Sequence, residues 1–329
     1  MLEMVKRFPD QLQEAIEIGT ASNITKLLIH PNLVFVAGMG GSGIGADFVA
    51  SFFKNELKIP YIVGKSYDPP AFVDSTALVI ASSYSGNTEE TISCLNTLEN
   101  RVNSIKCISS GGEIKKMALA KSYDFIQLPT GWTSPRACLG YSVVAQMFIL
   151  KKLQLLSSEF ETSLKNTFQR LSLGQQVIMQ DARRLADHLN GKRIIIYSSD
   201  LLEPVAIRFR QQINENTKRL CSHHVIPEMN HNELVGWRQQ DPNIAVLFLR
   251  SGDDHPRVQL RTDLCKEIIS HYAGSVFEIY GKGADLIEKS FYLVHLLDFV
   301  SVYLALDYNI DAVEVKVIDF LKSELSKTE

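Results

Sequence analysis

Short, wholly apolar runs recur along the chain, each ending in glycine or hydroxyl residues and followed by a stretch with helical periodicity. Residues 33–37 (LVFVA) lead into G-M-G-G-S-G-I-G and a helical stretch from about residue 46; residues 77–81 (ALVIA) lead into S-S-Y-S-G-N-T-E-E-T and another. A run with no polar alternation describes a strand covered on both faces, as in a parallel α/β sheet. Further strands are expected at 61–63, 104–108 and 124–128, with a helix over 112–120. This order predicts a doubly wound, mainly parallel sheet. Ahead of it, residues 1–30 place apolar residues at helical spacing, with Asp10 and Ser22 as candidate caps of two short helices. Residues 129–141 (PTGWTSPRACLGY) read as a turn-rich loop entering an apolar helix that extends to about residue 156.

The second half repeats the layout. Residues 157–180 have the periodicity of a helical connector and 181–190 can form a helix. A strand follows at 193–197, then the hydroxyl-rich S-S-D, a helix over 204–216, strands at 219–225, 244–249 and 275–280, and a long amphipathic run over 286–306. The chain therefore divides into an N-terminal unit (1–156), a helical connector (157–180) and a C-terminal unit with a tail (181–329). The expected fold is two tandem doubly wound α/β units of one type.

Composition narrows the partners. A formal net charge of -3 gives no electrostatic case for nucleic acid or an anionic membrane. The N-terminus lacks a basic segment followed by an apolar core, and no stretch reaches the length of a membrane span without charge. Five cysteines with no C-x-x-C spacing suggest buried free thiols in a reducing compartment, which makes the cytoplasm the expected location.

The loop at 82–91 carries the first candidate chemistry. Helix-start amides have no partner within the helix and the macrodipole adds positive charge, so Ser83, Ser85 and Thr88 could help to hold a phosphate. The same hydroxyls could instead be N-caps. Gly38, Gly40 and Gly43 fit the dinucleotide-binding pattern G-x-G-x-x-G, but the acidic residue that would hold a ribose is missing where residues 61–63 end in Gly64-Lys65-Ser66. The competing reading puts Gly40, Gly41 and Ser42 beside the Ser83 loop at the carboxyl ends of two strands, as one small phosphate-sugar site. Arg136 falls at a helix start, where a cation is unfavourable, which points to an anionic partner. Glu215, between Asn214 and Asn216, and His231, in P-E-M-N-H-N-E, could move protons near neutrality, though each also reads as an ordinary polar loop residue. His223, His224, Glu228 and His231 include zinc-ligand types, but neighbours on a strand point to opposite faces and no H-E-x-x-H is present.

Taken together, G-M-G-G-S-G-I-G, S-S-Y-S-G-N-T-E-E-T, S-P-R-A-C-L-G-Y, N-E-N-T-K, P-E-M-N-H-N-E-L-V-G-W and L-V-H-L-L-D-F-V-S-V-Y-L-A-L resemble the bifunctional phosphoglucose/phosphomannose isomerase family over nearly the whole chain. The resemblance implies tandem sugar-isomerase (SIS) domains without cofactor or metal, forming a homodimer with active sites at the subunit interface. It implies that Gly41, Ser42, Ser83, Ser85 and Thr88 hold a sugar 6-phosphate and that Glu215 shuttles a proton between C2 and C1. It further implies that His231 of the partner opens the ring, that Arg136 stabilises the enediolate, and that Lys322, with Lys316 as rival, is the C-terminal site lysine. Residues 309–316 (NIDAVEVK) depart from the family's proline- and threonine-rich approach to the last helix, which bears on mannose acceptance. A non-catalytic phosphosugar sensor and an amino-sugar phosphate isomerase are the alternative readings.

Overall fold

The computed structural model describes residues 1–327. The first sheet is built from β1 (Val34–Ala37), β2 (Tyr61–Gly64), β3 (Leu78–Ser82), β4 (Ser104–Ser109) and β5 (Asp124–Gln127), all parallel in the order β2-β1-β3-β4-β5. The second holds β6 (Arg193–Ser199), β7 (Ser222–Ile226), β8 (Asp241–Arg250) and β9 (Ala273–Tyr280), parallel in the order β7-β6-β8-β9. Both sheets reverse direction of winding beside their first strand, β1 or β6. That switch opens a crevice at the carboxyl ends, where ligands of such sheets bind. The central strands β1 and β3 are buried at every position, as their unbroken apolar runs require.

Helices α1 (Leu2–Lys6) and α2 (Phe8–Ala21) open the chain. The break falls at Arg7. Asp10 lies within the first turn of α2 and Ser22 at its carboxyl end, so neither is an N-cap, and residues 22–33 hold no helix. In the first unit α3 (Gly40–Phe52), α4 (Glu89–Leu98), α5 (Gly112–Lys121) and α6 (Leu139–Lys152) follow. A single helix, α7 (Phe160–Leu189), then covers both the expected connector and the helix expected at 181–190. Its apolar residues keep one face across the join, since Leu171, Ile178, Ala182 and Leu185 are all buried. The second unit adds α8 (Glu203–Thr217), α9 (Pro256–Ser270), α10 (Leu286–Asp307) and α11 (Lys316–Leu325).

By length and composition α10 could cross a membrane. In this fold it is the central core helix, buried along most of its length and packed against α7 and α8. Two polar residues on it stand out. Asp298 is paired inside the protein, as described below. His295 is fully buried between the rings of Phe8 (5.7 Å) and Phe299 (4.7 Å), and neither ring nitrogen has a hydrogen-bond partner. Burial lowers its pKa to about 3, so the ring is neutral in the folded protein. One cluster of apolar side chains runs from α1 and α2 through α6 and α7 to α10, and so joins the two sheets through a shared core.

Candidate active site

The loop after β3 is shaped by its glycine. Gly86 has φ +71°, and a Cβ there would lie 1.8 Å from the Gly111 carbonyl oxygen of the loop after β4. Only glycine fits both demands. The turn is further tied by Asn87 Oδ1, which accepts the Glu113 amide at 2.9 Å. Thr88 occupies the N-cap position of α4, yet its side chain does not cap the helix. It shares a 2.7 Å hydrogen bond with the buried Ser83 hydroxyl instead. The α4 amides are thus left without a side-chain cap and the capping alternative does not hold. Nor does a side chain cap α3, whose first turn carries Gly40, Gly41 and the buried Ser42. Two uncapped helix N-termini on adjacent strands, flanked by Ser42, Ser83, Ser85 and Thr88, make a ready anion cradle.

The cradle touches the next candidate directly. A Cβ on Gly41 would come within 3.8 Å of the Arg136 backbone, so the loop after β1 lies against the turn that carries this arginine. Arg136 sits in a 3-10 turn, Pro135–Cys138, just ahead of α6 rather than inside it. Its side chain is buried and reaches across to the second unit. Nη1 lies 3.3 Å from Glu215 Oε2, Nε donates to Asn216 Oδ1 at 3.1 Å, and Nη2 donates to the Ala312 carbonyl. Burial lowers the arginine's pKa from its ordinary value. Glu215, Asp298 and Asp311 oppose that shift, whereas Arg208 adds to it. Two residues singled out from separate halves of the sequence therefore form one contact.

Glu215 sits in the last turn of α8, half-buried, on the wall of a cavity of about 350 Å³ lined also by Lys218, Leu220, Glu314, Val315 and Ile318. Lys218, which sequence reasoning missed, takes the left-handed conformation (φ 56°) that ends α8 and donates to the backbone carbonyls of Glu215 and Glu314. Burial lowers its pKa. Behind the contact lies a polar layer with no signal in any single motif. Arg208 is bidentate to Asp298 (2.7 and 3.2 Å), both buried, and its Nη1 donates to the Arg136 carbonyl at 2.8 Å. Gln212 donates to Asp298 at 3.1 Å. Asn216 donates to Ser301 Oγ at 2.8 Å, and Ser301 in turn donates to the Asp298 carbonyl. Spacing could have hinted at it. Arg208, Gln212 and Glu215 or Asn216 share a helix face, and a charged Asp298 stands within the mainly apolar run of α10.

His231 lies in a 3-10 turn after β7, exposed and without a hydrogen-bond partner. Its loop is anchored by Glu233, which accepts from Tyr197 Oη at 2.5 Å and contacts His224 Nδ1 at 2.7 Å. Trp237 Nε1 donates to the same Tyr197 oxygen at 3.1 Å. Burial raises the Tyr197 pKa, so the phenol keeps its proton. His223 points to the other face, 3.9 Å from Glu203. Burial and nearby Arg210 lower its pKa to about 4, which leaves it neutral at pH 7 and that contact no ion pair. Among the described residues no three His, Cys, Asp or Glu side chains converge as metal ligands. Lys322 and Lys316 both lie on α11, exposed, and neither lines the Glu215 cavity; α11 buries none of its residues.

The second unit has a different chemistry at the carboxyl ends of its strands. At the carboxyl ends of β6 and β8, the buried Asp254 carboxylate accepts from the Ser251 amide at 3.2 Å and from the Ser199 hydroxyl. Here a side chain of the chain itself takes up donors at the carboxyl ends of the strands.

Comparison with known proteins adds three findings. Residues 178–325 match the family described as bacterial phospho-glucose isomerase C-terminal SIS domain. The chain is 37% identical to a bifunctional phosphoglucose/phosphomannose isomerase of Caldicellulosiruptor bescii, over 99% of each chain, and 35% identical to one of Aquifex aeolicus, over 91% of each. In fold it is similar to the C-terminal domain of glucosamine-fructose-6-phosphate aminotransferase from Francisella tularensis, with a TM-score of 0.76 at 16% identity, covering 95% of this chain and 97% of the other.

Proposed function

The chain belongs to the bifunctional phosphoglucose/phosphomannose isomerase family, and from that premise we propose that it interconverts glucose 6-phosphate, and mannose 6-phosphate, with fructose 6-phosphate. The observation that carries the reading is the contact between Arg136 and Glu215, which sets a carboxylate and a guanidinium side by side next to the anion cradle. Aldose–ketose isomerisation needs a weakly acidic carbon proton removed and the resulting oxyanion charge stabilised, and these two groups suit those tasks.

In this mechanism the phosphate is held by Ser42, Ser83, Ser85, Thr88 and the Gly41 backbone. That grip, remote from the reacting carbons, positions C1 and C2 over Glu215. Glu215 takes the proton from C2 and returns it to C1, while Arg136 stabilises the enediolate. His231 acts in ring opening. Its exposure on its own subunit fits a role in the site of a second copy, within a homodimer whose active sites lie at the interface. Lys322 is proposed as the C-terminal site lysine, which requires α11 to meet a site other than the Glu215 cavity of its own chain. The phosphate-binding unit comprises residues 1–156 and the second unit 181–329, joined by 157–180, and the protein works in the cytoplasm without a metal.

The test is formation of fructose 6-phosphate from glucose 6-phosphate and from mannose 6-phosphate, each with and without a strong chelator. Turnover of both, insensitive to chelator, is expected. Turnover of glucose 6-phosphate alone would narrow the specificity and point to residues 309–316. Binding of sugar phosphates without any turnover would overturn the isomerase reading in favour of a phosphosugar sensor.

A further inference from the structure

We infer that the buried pair Arg208–Asp298, together with Ser301 and Asn216, forms a positioning layer that holds Arg136 against Glu215. The inference rests on the isomerase reading above. Arg136 stands on a short 3-10 turn of the first unit, whereas Glu215 stands on α8 of the second. The two elements belong to different units, so their alignment depends on contacts across the join. Three such contacts hold Arg136. Arg208 Nη1 holds the Arg136 carbonyl, Asn216 Oδ1 holds the Arg136 Nε, and the Ala312 carbonyl takes Nη2.

Two of these holders, Arg208 and Asn216, are themselves fixed from α10. Both oxygens of Asp298 grip Arg208, one of them also accepting from Gln212, so the guanidinium has a single orientation. Ser301 Oγ accepts from Asn216 and donates to the Asp298 carbonyl, which turns the Asn216 oxygen toward Arg136. One turn of α10 thus sets both supports of the arginine.

Charge supports the same conclusion. Arg136 and Arg208 are two buried guanidiniums joined through a backbone carbonyl, and Asp298 neutralises the inner one. The outer cation is then left to Glu215 and to the substrate. Arg208, Asp298, Asn216 and Ser301 are positioning residues in this account, since Arg208 and Asn216 act on Arg136 and Asp298 and Ser301 act on those two.

The experiment compares wild type, Asp298→Asn and Ser301→Ala in the full-length protein. It measures kcat, KM and unfolding midpoint, and binding of inorganic phosphate and of a five-carbon aldonic acid 5-phosphate, whose carboxylate stands where enediolate charge would form. Ångström-scale misplacement of a catalytic group costs up to about a hundredfold, so Asp298→Asn is expected to lower kcat about 10–100-fold. KM and phosphate binding should change by no more than about threefold, because the phosphate cradle belongs to the other unit. Aldonate binding should weaken in step with kcat. Ser301→Ala, a mild change that keeps the charge pair, should lower kcat several-fold with its unfolding midpoint near wild type.

Acting through Arg136 has a further signature. On an Arg136→Ala background, which has no guanidinium to hold, Asp298→Asn should cost no more than about a further twofold. Equal losses on both backgrounds would overturn the inference and leave a structural role, as would wild-type kcat in folded Asp298→Asn and Ser301→Ala. A wild-type protein inactive on both sugar phosphates would instead overturn the isomerase reading and the positioning role with it.

Discussion

Replacing His295 by leucine should make the protein less sensitive to acid, by an amount the structure allows to be worked out. The ring is fully buried with both nitrogens unpartnered, and burial lowers its pKa from 6.5 to about 3. The unfolded chain binds a proton below about pH 6.5 while the folded one does not. Stability is therefore complete above pH 6.5 and falls as the pH drops from there toward 3. Between pH 7 and pH 5 the loss is about 2 kcal/mol, from 1.36 kcal/mol for each of roughly 1.5 units. Urea unfolding followed by the fluorescence of Trp132 and Trp237, at both pH values, measures it. His295→Leu should be at least as stable as wild type at pH 7, because an apolar side chain replaces a polar ring that lacks partners. Its advantage should grow by about 2 kcal/mol at pH 5. Every other titrating group is common to the two proteins and cancels in the comparison. The same stability difference at both pH values would refute the assignment of a neutral, linked His295.

Glu215→Gln should lower kcat by at least about a thousandfold, as expected for loss of the proton-transferring group, while sugar-phosphate binding by calorimetry stays within a few-fold of wild type. Loss of binding would make the residue structural. The single variant Ser83→Ala should raise KM about 10–100-fold with a smaller effect on kcat, since a charge-assisted hydrogen bond to phosphate is worth about 1.5–3 kcal/mol; steady-state kinetics on glucose 6-phosphate would show it. Tyr197→Phe removes the hydroxyl shared by Glu233 and Trp237, so it should cost about 1–2 kcal/mol in urea unfolding and lower kcat by loosening the His231 loop. Unchanged kcat there would separate that loop from catalysis.

The two sheets were legible because their strands are apolar on both faces and end in turn residues, and those runs locate all nine strands to within a few residues. Cap positions were less so. Asp10 and Ser22 have capping side chains, but the helix breaks at Arg7 and Ser22 is extended, while α2 packs on α6 and α7 in contacts that no local pattern records. In the candidate site, the loops after β1 and β3 were visible because glycines and hydroxyls cluster in sequence. Arg136 was visible because a cation at a helix start is unfavourable. The supporting layer was not, since Arg208, Asn216, Asp298 and Ser301 come from two helices and gain meaning only once α8 and α10 pack. The adjacent histidines 223 and 224 were legible too, since alternation along a strand predicts that they point to opposite faces, as they do on β7. One meets Glu233 and the other lies near Glu203.

The carboxylate of Asp254 has a consequence for the second unit. A group tethered three residues from the amide it binds presents itself at an effective concentration of about millimolar or higher, and it never diffuses away. A free phosphate or sugar phosphate would have to outcompete that resident anion and also enter beside its charge. The loop of the second unit is thereby occupied by its own sequence. Two copies of one architecture have in this way become unequal: one leaves two helix N-termini without side-chain caps, while in the other a carboxylate of the chain already takes a loop amide and a hydroxyl.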